Sequence, residues 1–330
     1  MRLRLGFLAA VHFLVDLSCA LLLLGRVCTD YDPVRAILLY NLFAFAMQMP
    51  LGLLADRVGG CRYFVAGGCL LTAAGWLLPS GLAAVTAAGL GNAAFHVGGG
   101  LDTLNADRDR AGPLGLFVAP GALGIYLGGQ WAGLSGALSV CILLVSAAVA
   151  LFGMKKGPEP APLAFPDGGS GFRGAIICLF SVVVVRSYMG LAADLPWKAE
   201  MGLAAVCAVA GGKAAGGFLA DRFGMMTTAL TSLGLAALCY LFADGAAAGL
   251  AALFLFNMTM PLTLWAVARH LPGLKGFSFG LLTFGLFLGF LPFFYGYGEL
   301  GTFHLAAGAA LSVPLLILGL SGTGRRGENP

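Results

Sequence analysis

Charged residues are scarce in this chain of 330 residues, of which aspartate, glutamate, lysine and arginine make up only 10%. Soluble domains usually carry about 25%. The eight cysteines form no CxxC pair and most lie in apolar runs, so we interpret them as packing residues rather than a disulfide framework. No G-x-x-x-x-G-K-[S/T] segment occurs, so the chain carries no recognisable ATPase. The composition excludes a soluble enzyme, a disordered protein and a nucleic-acid binder.

Apolar residues dominate what is present. The chain is 59% hydrophobic with a mean hydropathy of +0.91, and its apolar runs are long and unbroken, unlike the alternating strands of a barrel. A spanning helix needs about 20 apolar residues. The sequence therefore predicts an all-α membrane protein with twelve transmembrane helices, near residues 5–25, 35–54, 63–79, 82–104, 113–132, 134–153, 173–193, 201–220, 225–243, 247–267, 276–297 and 302–321.

One stretch interrupts this apolar pattern. Residues 154–172 combine proline, glycine and charge, which indicates a linker. The linker divides six predicted spans from six. The predicted domains are therefore an N-terminal six-helix bundle over residues 1–153 and a C-terminal six-helix bundle over residues 173–330.

Lysine and arginine are distributed unevenly between the two predicted sides of the membrane. Of the 19, fourteen fall on the side of the N-terminus, three fall on the opposite side and two lie within spans. Cytoplasmic loops carry the excess of basic residues in membrane proteins. We therefore expect both termini and the linker in the cytoplasm, with the protein in the cell (inner or plasma) membrane.

An eight-residue segment occurs twice in the chain. Residues 52–59 read GLLADRVG and residues 217–224 read GFLADRFG, an offset of 165 residues that Asn92 and Asn257 also keep. The second half is therefore predicted to be a structural copy of the first, in the same orientation because six spans intervene. Parallel six-helix halves are a transporter architecture that binds cargo at the midplane.

The repeated G-x-L-A-D-R-x-G segment resembles the signature loop of the major facilitator superfamily, and the resemblance covers the whole chain. It implies two pseudo-symmetric six-helix bundles that work by alternating access, as a monomer and without a cofactor. The chain is also similar to the fosmidomycin-resistance branch, which implies drug efflux, although Val97 stands where that branch usually has proline. Three short segments carry this finer resemblance: His12-Phe13-x-x-Asp16, Phe95-His96 and Arg186-Ser187-Tyr188.

The superfamily resemblance also implies a gating role for the signature residues. Asp56 and Asp221 fall at the predicted cytoplasmic ends of the second and eighth spans, where a carboxylate can meet the positive end of a neighbouring helix or a basic side chain. In the family this loop is taken to hold the outward-open state. The alternative is ordinary interfacial charge beside a tight-turn glycine. The expected gating residues are Gly52, Asp56, Arg57, Gly217, Asp221 and Arg222.

Polar side chains within the predicted spans are costly and therefore mark a candidate site. His12 and Asp16 lie four residues apart on one face of the first span, where either can accept a transported proton. The alternatives are a structural His–Asp pair and, for the uncharged groups, hydrogen bonds that hold helices together. The expected substrate and proton-coupling residues are His12, Asp16, Tyr40, Asn41, Gln48, Asn92, His96, Arg186, Lys213 and Asn257.

Arg186 stands near the centre of the seventh span and keeps its charge, so it needs an anion, which either Asp16 or the cargo supplies. Lys213 matches Gln48 in the repeat, and it either lines the pathway or extends its charge towards the interface. Because the basic groups outweigh Asp16, the sequence favours an anionic or zwitterionic cargo.

The leading functional hypothesis is a secondary transporter, coupled to a proton gradient, that exports a small organic compound or drug. Its expected partners are the lipid bilayer and a small-molecule substrate. The alternatives are uptake or uniport of a metabolite, and divalent metal transport with His12, Asp16 and His96 as an incomplete ligand set. A membrane receptor or enzyme remains the alternative outside transport.

Overall fold

The computed structural model describes residues 2–79, 81–131, 136–155, 163, 170–321 and 323. Most of the predicted linker, residues 156–162 and 164–169, lies outside the described residues, as does the chain from residue 324 onward. The described residues are helical almost throughout, apart from short connections and one isolated bridge between Ala193 and Leu300.

Twelve helices follow one another along the described residues, which confirms the predicted all-α fold. Each helix overlaps one predicted span. Numbered in chain order, they are α1 (Arg2–Asp30), α2 (Pro33–Val58), α3 (Cys61–Leu77), α4 (Gly81–Ala106), α5 (Gly112–Gln130), α6 (Gly136–Gly153), α7 (Ser170–Ala192), α8 (Gly202–Phe223), α9 (Met225–Tyr240), α10 (Ala246–His270), α11 (Lys275–Phe294) and α12 (Thr302–Leu320).

Nine of the helices that the described residues form are long and apolar enough to cross a membrane. The others are α3, α9 and α4, which have 17, 16 and 26 residues. The helix α4 is long enough, but it carries Asn92, His96 and Asp102 among glycine and alanine. All three polar residues are buried by protein, so the helix does not present them to lipid.

Glycines in the left-handed region end α2 and α8, the two helices that contain the repeated segment. Gly59 and Gly60 follow α2 with φ of 68° and 74°, and Gly224 follows α8 with φ of 92°. Residues with a Cβ rarely adopt these angles. The last glycine of each G-x-L-A-D-R-x-G copy is therefore the residue that lets the chain turn into the next helix.

Three helices depart from regular α geometry, two of them beside buried polar residues. The helices α1 and α2 contain π-helical turns at Leu23–Val27 and Leu42–Ala46, and α10 is interrupted at Met258. Such irregularities often occur at functional sites. Asn41 immediately precedes the second π turn and Thr259 immediately follows the interruption, so both polar side chains lie where the backbone is irregular.

The packed chain divides into two compact units. Unit 1 comprises Met1–Asp107, Phe117–Leu163 and Gly273–Phe284, and unit 2 comprises Arg108–Leu116, Ala164–Pro272 and Gly285–Pro330. These units differ from the predicted bundles by two exchanged segments, since the start of α5 packs in unit 2 and the start of α11 packs in unit 1. The exchanged segments begin at residues 108 and 273, which the 165-residue repeat relates.

Candidate functional site

Four buried polar side chains of unit 1 meet in one place, His12, Asp16, Asn92 and His96, which we call the histidine cluster. The helix α1 contributes the first two and α4 the last two, each pair one turn apart. All four residues are at most 8% exposed. Spacing of four residues places each pair on one helix face, and the packing of α1 against α4 brings the two faces together.

Backbone carbonyls hold both histidine rings from one side. The His12 Nδ1 lies 2.6 Å from the carbonyl oxygen of Phe117 on α5, and the His96 Nδ1 lies 2.9 Å from the carbonyl oxygen of Asn92. Because a carbonyl oxygen only accepts hydrogen bonds, each Nδ1 carries a hydrogen and donates it. The two Nε2 atoms then face each other at 2.8 Å, with the rings edge to face.

The Asp16 carboxylate lies beside both Nε2 atoms. Its Oδ2 is 3.2 Å from the His12 Nε2 and its Oδ1 is 3.8 Å from the His96 Nε2. The Asn92 amide nitrogen donates to Oδ1 at 2.7 Å. The carboxylate is therefore held in place by Asn92 and positioned to balance one positive charge on the rings. Within unit 1, the carboxylate contacts the side chains of His12, His96 and Asn92.

The helix α5 closes the histidine cluster with a glycine. A Cβ on Gly121 would collide with the Asp16 Oδ2 and the His12 Nε2. No larger residue fits there without moving the carboxylate or the ring, so Gly121 and the Phe117 carbonyl belong to the site. Neither position is among the site residues expected from the sequence. The helix α5 contains many glycines, and nothing in the sequence distinguishes Gly121 from the others. A contact made by a backbone carbonyl leaves no sequence signal.

The other candidates of unit 1 lie on α2. The Tyr40 hydroxyl interacts with the Cys19 thiol. The sulfur of that thiol is 3.9 Å from the side-chain amide nitrogen of Asn92, a member of the histidine cluster. Tyr40 therefore reaches the edge of the cluster. Gln48 is fully buried and donates to a backbone carbonyl one turn earlier at 2.6 Å, whereas its Oε1 has no partner among the described residues. Asn41 is buried at the start of the π turn.

Arg186 is the buried cation of unit 2. It lies on α7, is 6% exposed, and donates from Nη2 to the Thr259 hydroxyl at 2.7 Å. That hydroxyl donates in turn to the Phe256 carbonyl at 2.9 Å. The Nε atom is buried without a hydrogen-bond partner among the described residues, and none of the ion pairs that those residues form includes Arg186. A buried guanidinium without a counter-charge is costly.

Lys213 and Asn257 are the remaining candidates of unit 2. Lys213 lies on α8 and is partly exposed. Asn257 is buried at the end of the first part of α10 and donates to the Leu253 carbonyl at 2.8 Å. Asn257 and Thr259 flank the interruption of α10, so two buried polar residues lie at the broken turn. The repeat partner of Asn257 is Asn92 of the histidine cluster.

Asp56, near the end of α2, caps the first turn of α11 within unit 1. Its Oδ1 accepts the N–H of Gly276 and its Oδ2 accepts the N–H of Phe277, both at 2.8 Å. The first N–H groups of a helix lack partners within the helix, and its positive end favours an anion. Gly52 permits this approach, because a Cβ there would collide with the Gly276 carbonyl.

Asp221, near the end of α8, makes the equivalent cap on α5 within unit 2. Its Oδ1 accepts the N–H of Ala111 at 2.7 Å and its Oδ2 accepts the N–H of Gly112 at 2.9 Å. Gly217 packs on the same segment, where a Cβ would lie 2.9 Å from the Gly112 Cα. Every partner in this cap is 165 residues from its counterpart in the other cap, so the two caps are symmetric in the repeat.

A basic residue accompanies each carboxylate of these caps. The Arg110 Nε lies 3.8 Å from the Asp221 Oδ2, and Lys275 interacts electrostatically with Asp56. Positions 110 and 275 are also related by the repeat. Arg110 and Lys275 are not among the gating residues expected from the sequence, although the 165-residue offset relates them.

The arginines of the signature segment itself lie outside the caps. Arg57 and Arg222 are both exposed, and the Arg222 guanidinium lies over the Phe223 ring, 5.4 Å from its centroid. Of the six expected gating residues, the structure therefore brings four into the caps, namely Gly52, Asp56, Gly217 and Asp221. Their roles in gating stay predictions.

Comparison with known proteins identifies the architecture. No family profile and no curated protein sequence matches the chain. Among solved structures, an E. coli fucose:proton symporter, FucP, superposes with a TM-score of 0.69 at 14% identity, covering 96% of this chain and 97% of that one. FucP in an outward conformation gives 0.70 at 15% identity, with the same coverage. This is the major facilitator superfamily fold.

A human protein with this fold, the organic anion transporter MFSD10 (TETRAN), superposes with a TM-score of 0.67 at 16% identity, covering 95% of this chain and 97% of that one. At such identities the likeness shows the major facilitator superfamily fold alone. The resemblance to the fosmidomycin-resistance branch stays a prediction.

Proposed function

We propose that this protein is a secondary transporter that works by alternating access and couples proton movement to the export of a small organic anion or zwitterion. The observation that carries the proposal is the unlike character of the two buried ionisable centres. The histidine cluster of unit 1 contains its own counter-charge, whereas Arg186 of unit 2 has none among the described residues. The first centre is suited to a proton and the second to an anion.

Arg186 defines the chemical class of the cargo in this proposal. Arginine keeps its positive charge, and the cost of burying that charge falls when an anion accepts hydrogen bonds from it. The Nη2 is already bound to Thr259, but the Nε is not bound by any described residue. A carboxylate or phosphonate group that accepts from Nε would complete the coordination of the guanidinium.

The histidine cluster provides the coupling site. His12, His96 and Asp16 are titratable, buried, and in mutual contact, so binding and loss of a proton change the charge of a sealed environment. Two of the proteins that share the fold are described as a fucose:proton symporter and an organic anion transporter. These descriptions support coupling to protons and an anionic cargo, and the resemblance to the fosmidomycin-resistance branch supports export.

The two caps provide the conformational switch. We propose that Asp56 and Asp221 hold the cytoplasmic ends of the helices in the state described here, and that both caps break in the alternate state. A contact present in only one of two states biases the equilibrium between them without touching cargo. We further propose that the protein acts as a monomer in the cell membrane, with both termini in the cytoplasm.

Flux into proteoliposomes with an imposed pH gradient tests this function. Fosmidomycin, a phosphonate suggested by the branch resemblance, and a panel of monocarboxylates serve as probes, chosen by the thermal stabilisation that they give to the purified protein. We expect flux to follow the gradient, Asp16→Asn to abolish the gradient dependence, and Arg186→Gln to lose binding of anionic probes only. Flux that ignores the gradient in the unaltered protein would contradict proton coupling.

Divalent metal transport is the alternative that the histidine cluster makes worth testing. The candidate ligand atoms of His12, Asp16 and His96 lie within 4.8 Å of one another. However, two nitrogens bound to a tetrahedral ion at about 2.05 Å lie roughly 3.3 Å apart, and the two Nε2 atoms are 2.8 Å apart. The two rings would have to move apart to bind such an ion, whereas a proton fits between the two Nε2 atoms at their present separation. Zinc flux that is lost in His12→Gln and His96→Gln but kept in Arg186→Gln would favour the metal.

A further inference from the structure

We propose that His12 and His96 bind a single proton jointly, between their Nε2 atoms, with Asp16 as the fixed counter-charge. The role of this shared proton in coupling rests on the proposed function, whereas the sharing itself is a property of the site. Neither the sequence pattern nor the fold assigns it.

The ring orientations remove the freedom that histidine usually has. Each Nδ1 faces a carbonyl oxygen, 2.6 Å away for His12 and 2.9 Å away for His96, so each Nδ1 must carry a hydrogen. A neutral ring with its hydrogen on Nδ1 has a lone pair on Nε2. The protonation state of the pair is therefore decided entirely at the two facing Nε2 atoms.

Only one proton satisfies these two atoms at their separation of 2.8 Å. With none, two lone pairs face each other, and no hydrogen bond accounts for so short a distance. With two, both atoms are donors and their hydrogens collide. With one, the Nε2–H of one ring donates to the Nε2 of the other, and the proton can move between them without changing any other bond.

The charges around the two histidines also indicate a single shared proton. One shared proton gives the pair a charge of +1, and Asp16 supplies −1 at 3.2 Å and 3.8 Å. The site is then neutral overall, which lowers the cost of burying it. Around the pair, α1 also carries Cys19, α2 carries Tyr40, and α5 offers the Phe117 carbonyl.

One further ion pair joins α1 to α4. Arg4 of α1 forms an ion pair with Asp102 of α4, close to the ends of those helices. The carboxylate in contact with the two histidines is that of Asp16. The titratable side chains of the histidine cluster are two imidazoles and one carboxylate.

Release of the shared proton has a mechanical consequence. The bond between the two Nε2 atoms is lost, both atoms become acceptors, and they repel at 2.8 Å. Neither ring can turn to relieve this repulsion without losing its Nδ1 bond to a carbonyl. Because His12 is on α1 and His96 on α4, deprotonation favours a different packing of these two helices. That link between proton release and helix movement is what a coupled transporter requires.

Nitrogen-15 NMR of the unaltered protein in nanodiscs, with labelled histidine, tests the sharing directly. The chain has four histidines, and single His→Gln variants assign their signals. Near neutral pH we expect both Nδ1 atoms of His12 and His96 to carry hydrogen, and the two Nε2 atoms to share one hydrogen with a coupling across the hydrogen bond. Two separate neutral rings, or two fully protonated rings, would overturn the proposal.

Proton counting gives a second and independent test. The purified protein is titrated between about pH 5 and pH 9, where histidine exchanges its proton, and compared with the triple variant His12→Gln/His96→Gln/Asp16→Asn. We expect the unaltered protein to release one proton more per chain than the triple variant. A difference of two or more, or of none, would refute joint binding. His304→Gln, which alters an exposed histidine outside the cluster, is the matched control, and the one-proton difference from the triple variant should not change when both proteins carry it.

The two tests separate this inference from the proposed function. If the pair titrates as two independent histidines while flux follows the pH gradient, the sharing is wrong and proton-coupled transport stands. If one proton is shared while flux ignores the gradient, the sharing stands and the coupled function is wrong.

Discussion

Replacement of Asp221 by Asn probes the cap that holds the start of α5. Ala111 precedes that helix and Gly112 begins it. Their N–H groups have no partner inside the helix, so their protection from solvent depends on the two carboxylate oxygens at 2.7 Å and 2.9 Å. Asparagine keeps one acceptor oxygen and loses the charge. The interactions of a cap and of a charge with the helix end contribute about 1–2 kcal/mol together.

Hydrogen exchange of the full-length protein in nanodiscs measures this loss. A change of about 1–2 kcal/mol corresponds to roughly 5- to 30-fold faster exchange, which we expect at the amides of Ala111 and Gly112. Arg222→Gln is the matched control, one residue away, because its side chain is exposed and lies outside the cap. Unchanged exchange at the two amides, or an equal rise in the control, would refute the assignment of the cap.

The same experiment tests whether the two caps act as one switch. If both caps break in the alternate state, weakening one of them raises the population of that state. Exchange at Gly276 and Phe277, which Asp56 caps, should then also rise in Asp221→Asn, by no more than at the directly affected amides. A rise confined to the start of α5 would leave the cap in place as a structural contact and contradict its role in gating.

Other substitutions test the remaining contacts. Gly121→Ala should collide with Asp16 and destabilise the protein by about 1–3 kcal/mol with loss of flux, whereas Gly67→Ala, which meets no atom within 4 Å, should leave the unfolding temperature and flux unchanged. Arg186→Lys should weaken binding of anionic probes less than Arg186→Gln, because a positive charge remains, as ligand stabilisation will show. Thr259→Val removes the hydroxyl that holds Arg186 and should lower affinity for the same probes by roughly 5- to 30-fold, the equivalent of about 1–2 kcal/mol. If all three variants bind the anionic probes as tightly as the unaltered protein does, the proposed anion site is refuted.

Sequence patterns predicted the parts of the site that depend on spacing along one helix. The pairs His12 with Asp16 and Asn92 with His96 follow from the helical period, and the sequence predicts the first pair on one helix face. The 165-residue repeat likewise related Asp56 to Asp221. Tyr40 was expected to supply hydrogen bonds at mid-span, and it reaches the edge of the histidine cluster through Cys19, a contact across helices that no local spacing contains.

The sequence by itself determined the twelve helices, their repeat and their resemblance to the major facilitator superfamily, because apolar length and internal similarity are properties of the chain. Tertiary structure alone decided which polar groups meet. Asp16 pairs with two histidines, leaving Arg186 without an acid among the described residues, and two helix starts are exchanged between the units. Contacts between helices depend on their rotation and separation, and a single sequence carries neither.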